Sequence, residues 1–244
     1  MPDNDRDALI HNAASENISL GDEDATLEIL RGVVFDLWRT VGNLTRLQPS
    51  KRPRYRVSIF GSARIRPEMP LYQDVKRLAF ELANRNCDII TGGGPGLMQA
   101  ANEGEMQADP ERAKTRSVGI RVDLDFEQET NAFVEEVYVH RTFFSRLHHF
   151  VMASDAFVVV PGGIGTTLEL MMIWQLLQVR KLHDHPLILV GDMWERLVDW
   201  VKTDMVDADL QTASPGDEAI PTCVSTVDEA LALLIETHEQ WKSR

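Results

Sequence analysis

Cysteine is scarce in this sequence, and its scarcity narrows the structural classes open to the chain. The 244 residues include only two cysteines, Cys87 and Cys223. One pair supplies neither a disulfide framework nor the spacing of a structural metal site. His148 and His149 have no carboxylate or cysteine at ligand spacing. We therefore expect a protein of a reducing compartment, the cytoplasm, that binds no metal.

Long apolar runs are also missing. No stretch approaches the roughly 18 apolar residues that a membrane-spanning helix needs, so no membrane partner is expected. The opening residues, MPDNDRDALIHNAASEN, lack the basic-then-apolar order of a secretory signal. A composition of 43% hydrophobic and 26% charged residues suits a globular protein with one α/β domain, or at most two small domains.

Basic residues are outnumbered by acidic ones. The chain has 25 Lys and Arg against 38 Asp and Glu, a formal net charge of −13. This balance argues against nucleic-acid binding, which depends on neutralised phosphates, but a small anionic ligand responds to its local site instead. The one basic cluster, KRPRYR at residues 51–56, precedes a predicted strand. We interpret it as a solvated linker, with a functional patch as the alternative.

The chain divides by pattern into two segments, residues 1–50 and residues 51–244. Residues 1 to about 24 are polar and acidic without periodicity, and we expect them to be disordered. Residues 26–47 form a predicted amphipathic helix, which we expect to pack on the main domain or on a second subunit. Its apolar side chains recur at three- and four-residue steps: Leu27, Leu30, Val34, Leu37, Val41 and Leu44.

Apolar strands alternate with amphipathic helices from residue 51 onward. This alternation predicts a doubly wound α/β domain, a parallel sheet with helices on both faces. The predicted strands are RVSIFGS, CDIITGGG, RSVGIRV, EEVYVH, AFVVVPGG and PLILVG.

Three of these strands end in turns of small residues. Ligands of open α/β sheets lie beyond the carboxyl ends of the strands, where a following helix directs free N–H groups at an anion. Glycines allow the backbone to approach such a ligand closely. We predict that these turns bind a phosphate group and that Ser62 and Thr166 add hydroxyl groups. The predicted contacts are Ser62, Gly93, Gly94, Gly96, Gly162, Gly163, Gly165 and Thr166.

The turns do not match the common nucleotide motifs. No Gly-Lys-Ser/Thr follows either glycine turn, and GGGPG does not fit the dinucleotide fingerprint G-x-G-x-x-G. Glycine also serves ordinary tight turns between strands and helices, so one such turn alone would be weak support. Three together favour a mononucleotide or a sugar phosphate over NAD.

Two charged residues accompany the turns. Glu169 lies three residues after Thr166, so both share the first helical turn and face similar directions. It either complements the helix dipole or acts as a carboxylate beside a bound phosphate ester. Arg146 lies among the aromatic residues of FFSRLHHF, where a purely solvated role is less expected.

The motifs in this order resemble the LOG family of cytokinin riboside 5′-monophosphate phosphoribohydrolases, long described as lysine decarboxylases. The resemblance rests on GGGPGLMQAANEG, on the helix with Arg146 and on PGGIGTTLE. It runs from about Val57 to the C-terminal helix and includes GSARIRPEMPLY, FEQETN and HPLILVGDMWERLVDW. The N-terminal helix resembles the extended bacterial branch of that family.

The resemblance implies a Rossmann-like fold, a homodimer or larger assembly, and hydrolysis of the N-glycosidic bond of a nucleoside 5′-monophosphate without a cofactor. Arg146 and Glu169 align with the family's catalytic pair. The glycine turns, Ser62, Thr166 and the neighbouring Leu97 and Met98 align with its phosphate and ribose contacts.

The sequence departs from the family pattern at Leu147, Leu168 and Met172, where charged residues are usual. These changes leave a more apolar site, which we expect to raise the pKa of Glu169. They also leave open a non-catalytic role, such as carrying a nucleotide or the molybdenum cofactor. Lysine decarboxylation is disfavoured because the motifs contain no lysine for pyridoxal phosphate, and Lys181 follows only after the PGG helix.

Overall fold

The computed structural model describes residues 22–44, 52–123 and 129–243. These residues fall into two compact units, one containing the N-terminal helix and one beginning at Arg52. The N-terminal helix (α1) spans Glu23–Leu44, so it begins three residues earlier than the pattern predicted. The last predicted residues of this helix, 45–47, and most of the predicted acidic tail lie outside the described residues.

The second unit is built on a seven-stranded, entirely parallel sheet. The strands are Tyr55–Phe60 (β1), Cys87–Thr91 (β2), Ser117–Val122 (β3), Glu136–His140 (β4), Ala156–Val159 (β5), Leu187–Val190 (β6) and Thr222–Val224 (β7). Their order in the sheet is β4-β3-β2-β1-β5-β6-β7. Successive strands are thus added on one side of β1 up to β4 and on its other side from β5 onward, so the strand order reverses between β1 and β5.

Helices cover both faces of this sheet. Alternate residues of the central strands face opposite cores, as Val158 and Val159 of β5 do. The helices are Pro70–Ala83 (α2), Leu97–Ala108 (α3), Phe143–Ala153 (α4), Ile164–Gln178 (α5), Asp192–Val201 (α6) and Val227–Ser243 (α7). The helices α2, α3 and α7 pack on one face, and α4, α5 and α6 pack on the other. The predicted doubly wound, Rossmann-like α/β fold is confirmed.

Two expectations are corrected. The strand β7 escaped prediction because it has only three residues, of which only Val224 is buried. The basic cluster is not a solvated linker, since its arginines bind the body of the domain. Arg54 and Arg56 reach the buried Asp88 at 2.6 and 3.3 Å, and Arg52 donates to the Ala153 carbonyl oxygen at 2.7 Å. None of the described helices is both long and apolar enough to cross a membrane.

Candidate active site

The three small-residue turns meet at one edge of the sheet. They follow the adjacent strands β2, β1 and β5, at the point where the strand order reverses. Hydrogen bonds join the turns directly, because the Ser62 amide donates to the Pro161 oxygen at 3.1 Å and the Leu97 amide donates to the Ser62 oxygen at 2.9 Å. We name two of the turns the glycine loop (residues 92–96) and the PGG loop (residues 161–165). Ligands of doubly wound sheets bind at such a reversal.

The glycine loop requires glycine at several positions. Gly93 and Gly96 have φ angles of 71° and 69°, a region that other residues rarely adopt. A Cβ atom on Gly96 would also come within 2.4 Å of the Ser62 carbonyl oxygen. Met98 covers the loop, since its sulfur would lie 2.7 Å from a Cβ on Gly92. The loop is therefore tightly packed against its neighbours on the protein side.

The PGG loop is open where the glycine loop is packed. Gly162 lies against Thr166, whose Oγ1 would be 2.3 Å from a Cβ at that position. Gly163 and Gly165 differ, because a Cβ on either would meet nothing within 4 Å. Both are exposed at the start of α5 and have ordinary φ angles. No described protein atom accounts for the absence of a side chain at these two positions.

An ion pair lies beside the loops. The Arg146 Nη1 atom donates to Glu169 Oε1 at 2.8 Å, and the two side chains are only 13% and 10% exposed. Arg146 projects from α4, whose first turn is capped by the Thr142 hydroxyl. Its Nε atom donates to the Ile120 oxygen at 2.8 Å, and its guanidinium lies 5.0 Å from the centre of the Phe150 ring. These contacts hold the guanidinium in one orientation.

The Arg146 guanidinium also borders the glycine loop. A Cβ on Gly92 would come within 2.6 Å of Arg146 Nη2, so any larger residue there would displace the guanidinium. Glu169 shares the first turns of α5 with the buried Thr166, as its spacing predicted. The ion pair therefore lies between the carboxyl edge of β2 and the PGG loop.

Burial sets the electrostatics of the carboxylate. Desolvation raises the pKa of Glu169 above its ordinary value of 4.5, although the attraction of Arg146 opposes this change. The direction matches the expectation from the sequence. A carboxylate with a raised pKa accepts a proton more readily than an exposed one.

The structure brings the predicted site residues together, with two qualifications. Leu97 is wholly buried in the core and its amide is committed to Ser62, so its predicted ligand contact stays a prediction. The Ser62 hydroxyl accepts a hydrogen bond from the Arg64 amide at 3.1 Å. Of the departures from the family pattern, Leu147 is buried, whereas Leu168 is 45% exposed on the outer face of α5.

Sequence reasoning missed three polar residues behind the glycine loop: Thr91, Asn102 and Asn131. Thr91 and Asn102 are wholly buried, and hydrogen bonds connect all three. Asn131 belongs to the FEQETN segment, but nothing in that segment indicates which loop it meets. The only available signal was an asparagine in the helix start LMQAAN, where Gln99 is the one other polar residue.

Comparison with known protein families identifies the family of this chain. A family model described as "Possible lysine decarboxylase", the LOG family, matches residues 98–234, more than half of the chain. The chain belongs to the LOG family. The match includes α4 with Arg146 and α5 with Glu169, so both members of the ion pair lie within the region common to the family.

Two curated relatives share part of the chain. A pyrimidine/purine nucleotide 5′-monophosphate nucleosidase of Escherichia coli K12 is 30% identical over 125 residues, which are 49% of this chain and 28% of that protein. The cytokinin riboside 5′-monophosphate phosphoribohydrolase LOG3 of Arabidopsis thaliana is 33% identical over 127 residues, 49% of this chain and 54% of that protein. The shared region thus spans about half or less of each relative.

Solved structures agree on the fold. A molybdenum cofactor binding protein of Rippkaea orientalis superimposes with a TM-score of 0.57 at 17% identity, over 77% of this chain and 98% of that chain. At this identity the likeness establishes the Rossmann-like architecture of the LOG family chain and nothing about its ligand.

Proposed function

We propose that this LOG family protein hydrolyses the N-glycosidic bond of a nucleoside 5′-monophosphate to the free base and ribose 5-phosphate. The observation that carries the proposal is the buried Arg146–Glu169 ion pair, 2.8 Å long, beside two glycine-rich loops at the carboxyl edge of the sheet. The names of the two curated relatives support the same class of reaction.

The PGG loop is the proposed phosphate site. Gly163 and Gly165 are exposed and meet no protein atom that would require glycine. Close approach of a ligand explains their lack of side chains, since α5 begins there and directs free N–H groups outward. Thr166, in the first turn of the helix, adds a hydroxyl group. The resemblance to the LOG family assigns Ser62, Gly93, Gly94, Gly96 and Met98 to the ribose and phosphate contacts.

The chemistry follows from the charges. As the bond between the anomeric carbon and the base nitrogen breaks, the sugar takes on oxocarbenium character, which the Glu169 carboxylate stabilises. Water adds its oxygen to the anomeric carbon, and its proton passes through Glu169 toward the leaving base. Arg146 offsets the negative charge that develops on that base. Binding of the distant phosphate fixes the orientation of the reacting bond.

The region 51–244 is the proposed catalytic unit, because every candidate residue lies within it. We propose a purine nucleotide, AMP or a cytokinin nucleotide, as substrate. The exposed face of α5 carries Ile164, Leu168 and Met171 at helical spacing, and these apolar side chains favour a homodimer. Two free thiols, Cys87 and Cys223, favour the cytoplasm.

The deciding experiment incubates the purified chain with a panel of nucleoside 5′-monophosphates, including AMP and isopentenyl-AMP, and measures free base by chromatography. We expect base release by the native protein and its loss in Glu169→Gln. Binding of these nucleotides without base release would overturn the hydrolase and favour a nucleotide or cofactor carrier on the same loops.

A further inference from the structure

Asn131 binds the back of the glycine loop through three hydrogen bonds. Its amide N–H donates to the Gly93 oxygen at 2.9 Å, and its side-chain Nδ2 donates to the Gly94 oxygen at 2.9 Å. The second Nδ2 proton goes to Asn102 Oδ1 at 3.0 Å. Both carbonyl oxygens in the middle of the loop are therefore occupied by one residue that lies 37 positions away in the sequence.

A buried chain of polar side chains continues behind Asn131. Asn102 Oδ1 also accepts from the Thr91 hydroxyl at 2.7 Å, and its Nδ2 donates to the Ser117 hydroxyl at 2.9 Å. Thr91 Oγ1 in turn accepts from the Gly93 amide at 2.9 Å. Thr91, Asn102 and Ser117 are wholly buried. Every polar atom of the Asn102 amide has a partner, as a buried asparagine requires.

These bonds decide which way the peptide groups of the loop point. The peptide between Gly93 and Gly94 is planar and trans, so its N–H points opposite to its carbonyl oxygen. Because Asn131 holds that oxygen, the Gly94 N–H faces away from Asn131. Glycine residues without such restraint would sample many conformations, since Gly93 and Gly96 tolerate positive and negative φ alike.

We infer that Asn131, together with Asn102 and Thr91, is a positioning residue that holds the glycine loop in the conformation that binds the sugar phosphate. This inference rests on the proposed function, because it assumes that the loop meets that ligand. A loop held in its binding conformation before the ligand arrives loses less conformational freedom on binding. The three residues thus increase affinity without touching the ligand.

The test measures affinity separately from turnover. AMP and ribose 5-phosphate are titrated calorimetrically into the full chain carrying Glu169→Gln, with and without Asn131→Ala. We expect affinity for both ligands to fall about tenfold or more in the double variant. Thr91→Val keeps the shape of the side chain but loses the hydroxyl group, and its affinity is expected to fall by a similar factor. Thr91→Ser keeps the hydroxyl group and is expected to retain most of the affinity.

Ser58→Ala is the matched control for loss of a buried hydrogen bond. The Ser58 hydroxyl pairs with Ser154 at 2.6 Å inside the sheet, away from the loop. If Ser58→Ala lowers Tm as much as Asn131→Ala but keeps the affinity, positioning is supported. Equal affinities with and without Asn131→Ala would overturn the inference and leave the hydrolase proposal intact.

The failure of the hydrolase proposal has a different signature. AMP binding by the native chain without base release would remove the catalytic proposal, while the affinities would still decide the role of Asn131. A chain that binds neither AMP nor ribose 5-phosphate would overturn both.

Discussion

The two edges of the same sheet are built in opposite ways. At the amino edge, where the strands begin, arginines bind a buried carboxylate. Asp88 is 1% exposed and accepts from Arg54, Arg56 and the backbone amide of Arg116. At the carboxyl edge, the connections that follow β1, β2 and β5 are turns of small residues, and the Arg146–Glu169 ion pair lies beside them.

The difference indicates that the amino edge contributes mainly to stability and the carboxyl edge mainly to the proposed function. At the amino edge, arginine and aspartate side chains pair with one another and stabilise the start of the sheet. At the carboxyl edge, exposed backbone remains at Gly163 and Gly165, where no described protein atom would prevent a side chain. Under the proposed function, groups that face the ligand stay available, so this edge lacks contacts that the other edge makes. Substitutions at the two edges should therefore affect different measurements.

The largest effect is expected at the carboxyl edge. Glu169→Gln removes the carboxylate that is proposed to stabilise the oxocarbenium ion, and kcat for base release should fall about 10²- to 10³-fold. Glu103→Gln is the matched control, because Glu103 pairs with Lys76 at 2.6 Å outside the site. An equal loss in the control would contradict a special role for Glu169.

The pH profile sharpens the same prediction. Burial raises the pKa of Glu169 above 4.5, and the proposed mechanism requires its ionised form. Activity should therefore decline as the pH falls through this raised pKa, so the acid limb of kcat/KM should lie above pH 4.5. An acid limb at or below that value would show that the ionisation of Glu169 does not control the rate of base release.

The second effect belongs to the amino edge. Asp88→Asn leaves Arg54 and Arg56 without their charged partner, and the free energy of unfolding should fall by about 2 to 3 kcal/mol. The side chains of Arg54 and Arg56 are 27% and 35% exposed, so water can replace part of the interaction. Urea unfolding measures the loss. Base release per folded molecule should stay within about twofold of native, and a loss comparable to that of Glu169→Gln would erase the contrast between the edges.

Local pattern accounts for most of what the sequence predicted. Six strands, the helices between them and the three small-residue turns depend on residues close together in the chain, where periodicity and glycine placement are readable. The shared face of Thr166 and Glu169 follows from helical spacing in the same way. The candidate site could be located because each of its three turns begins where a strand ends.

Contacts between distant segments account for what the sequence did not predict. Arg54 meets Asp88 34 positions away, and Asn131 meets Gly94 37 positions away. A single sequence contains no signal that pairs these residues, so it predicts a linker at the basic cluster and indicates no role for Asn131. The short strand β7 lacks periodicity because it has only three residues.

The third effect is a pH dependence near the amino edge. Glu105 is 3% exposed and accepts from the Thr115 hydroxyl at 2.6 Å. Burial raises the pKa of Glu105 to about 7, so the folded protein binds more protons than the unfolded chain between pH 4.5 and 7. Stability contributed by this group therefore falls as the pH rises through that window.

Glu105→Gln removes this titration and keeps an oxygen for Thr115. Above pH 7 the variant should be about 2 kcal/mol more stable than native, less than the full pKa difference implies because water reaches an ionised carboxylate. At pH 4.5 the two proteins should be similar. The free energy of unfolding of both proteins is measured by urea titration at pH 5 and pH 8. An equal difference between variant and native at the two pH values would contradict the raised pKa of Glu105.

The smallest effect is the most selective one, and it concerns Gly165 in the first turn of α5. Alanine there meets no protein atom within 4 Å and suits a helix better than glycine, so Gly165→Ala should raise stability by about 0.5 to 1 kcal/mol. If a phosphate ester approaches this position, the same methyl group should weaken AMP binding. Gly162→Ala gives the contrast, because its methyl group would collide with Thr166 and lower stability. Higher stability with unchanged AMP affinity in Gly165→Ala would show that the open backbone of the carboxyl edge does not face the ligand.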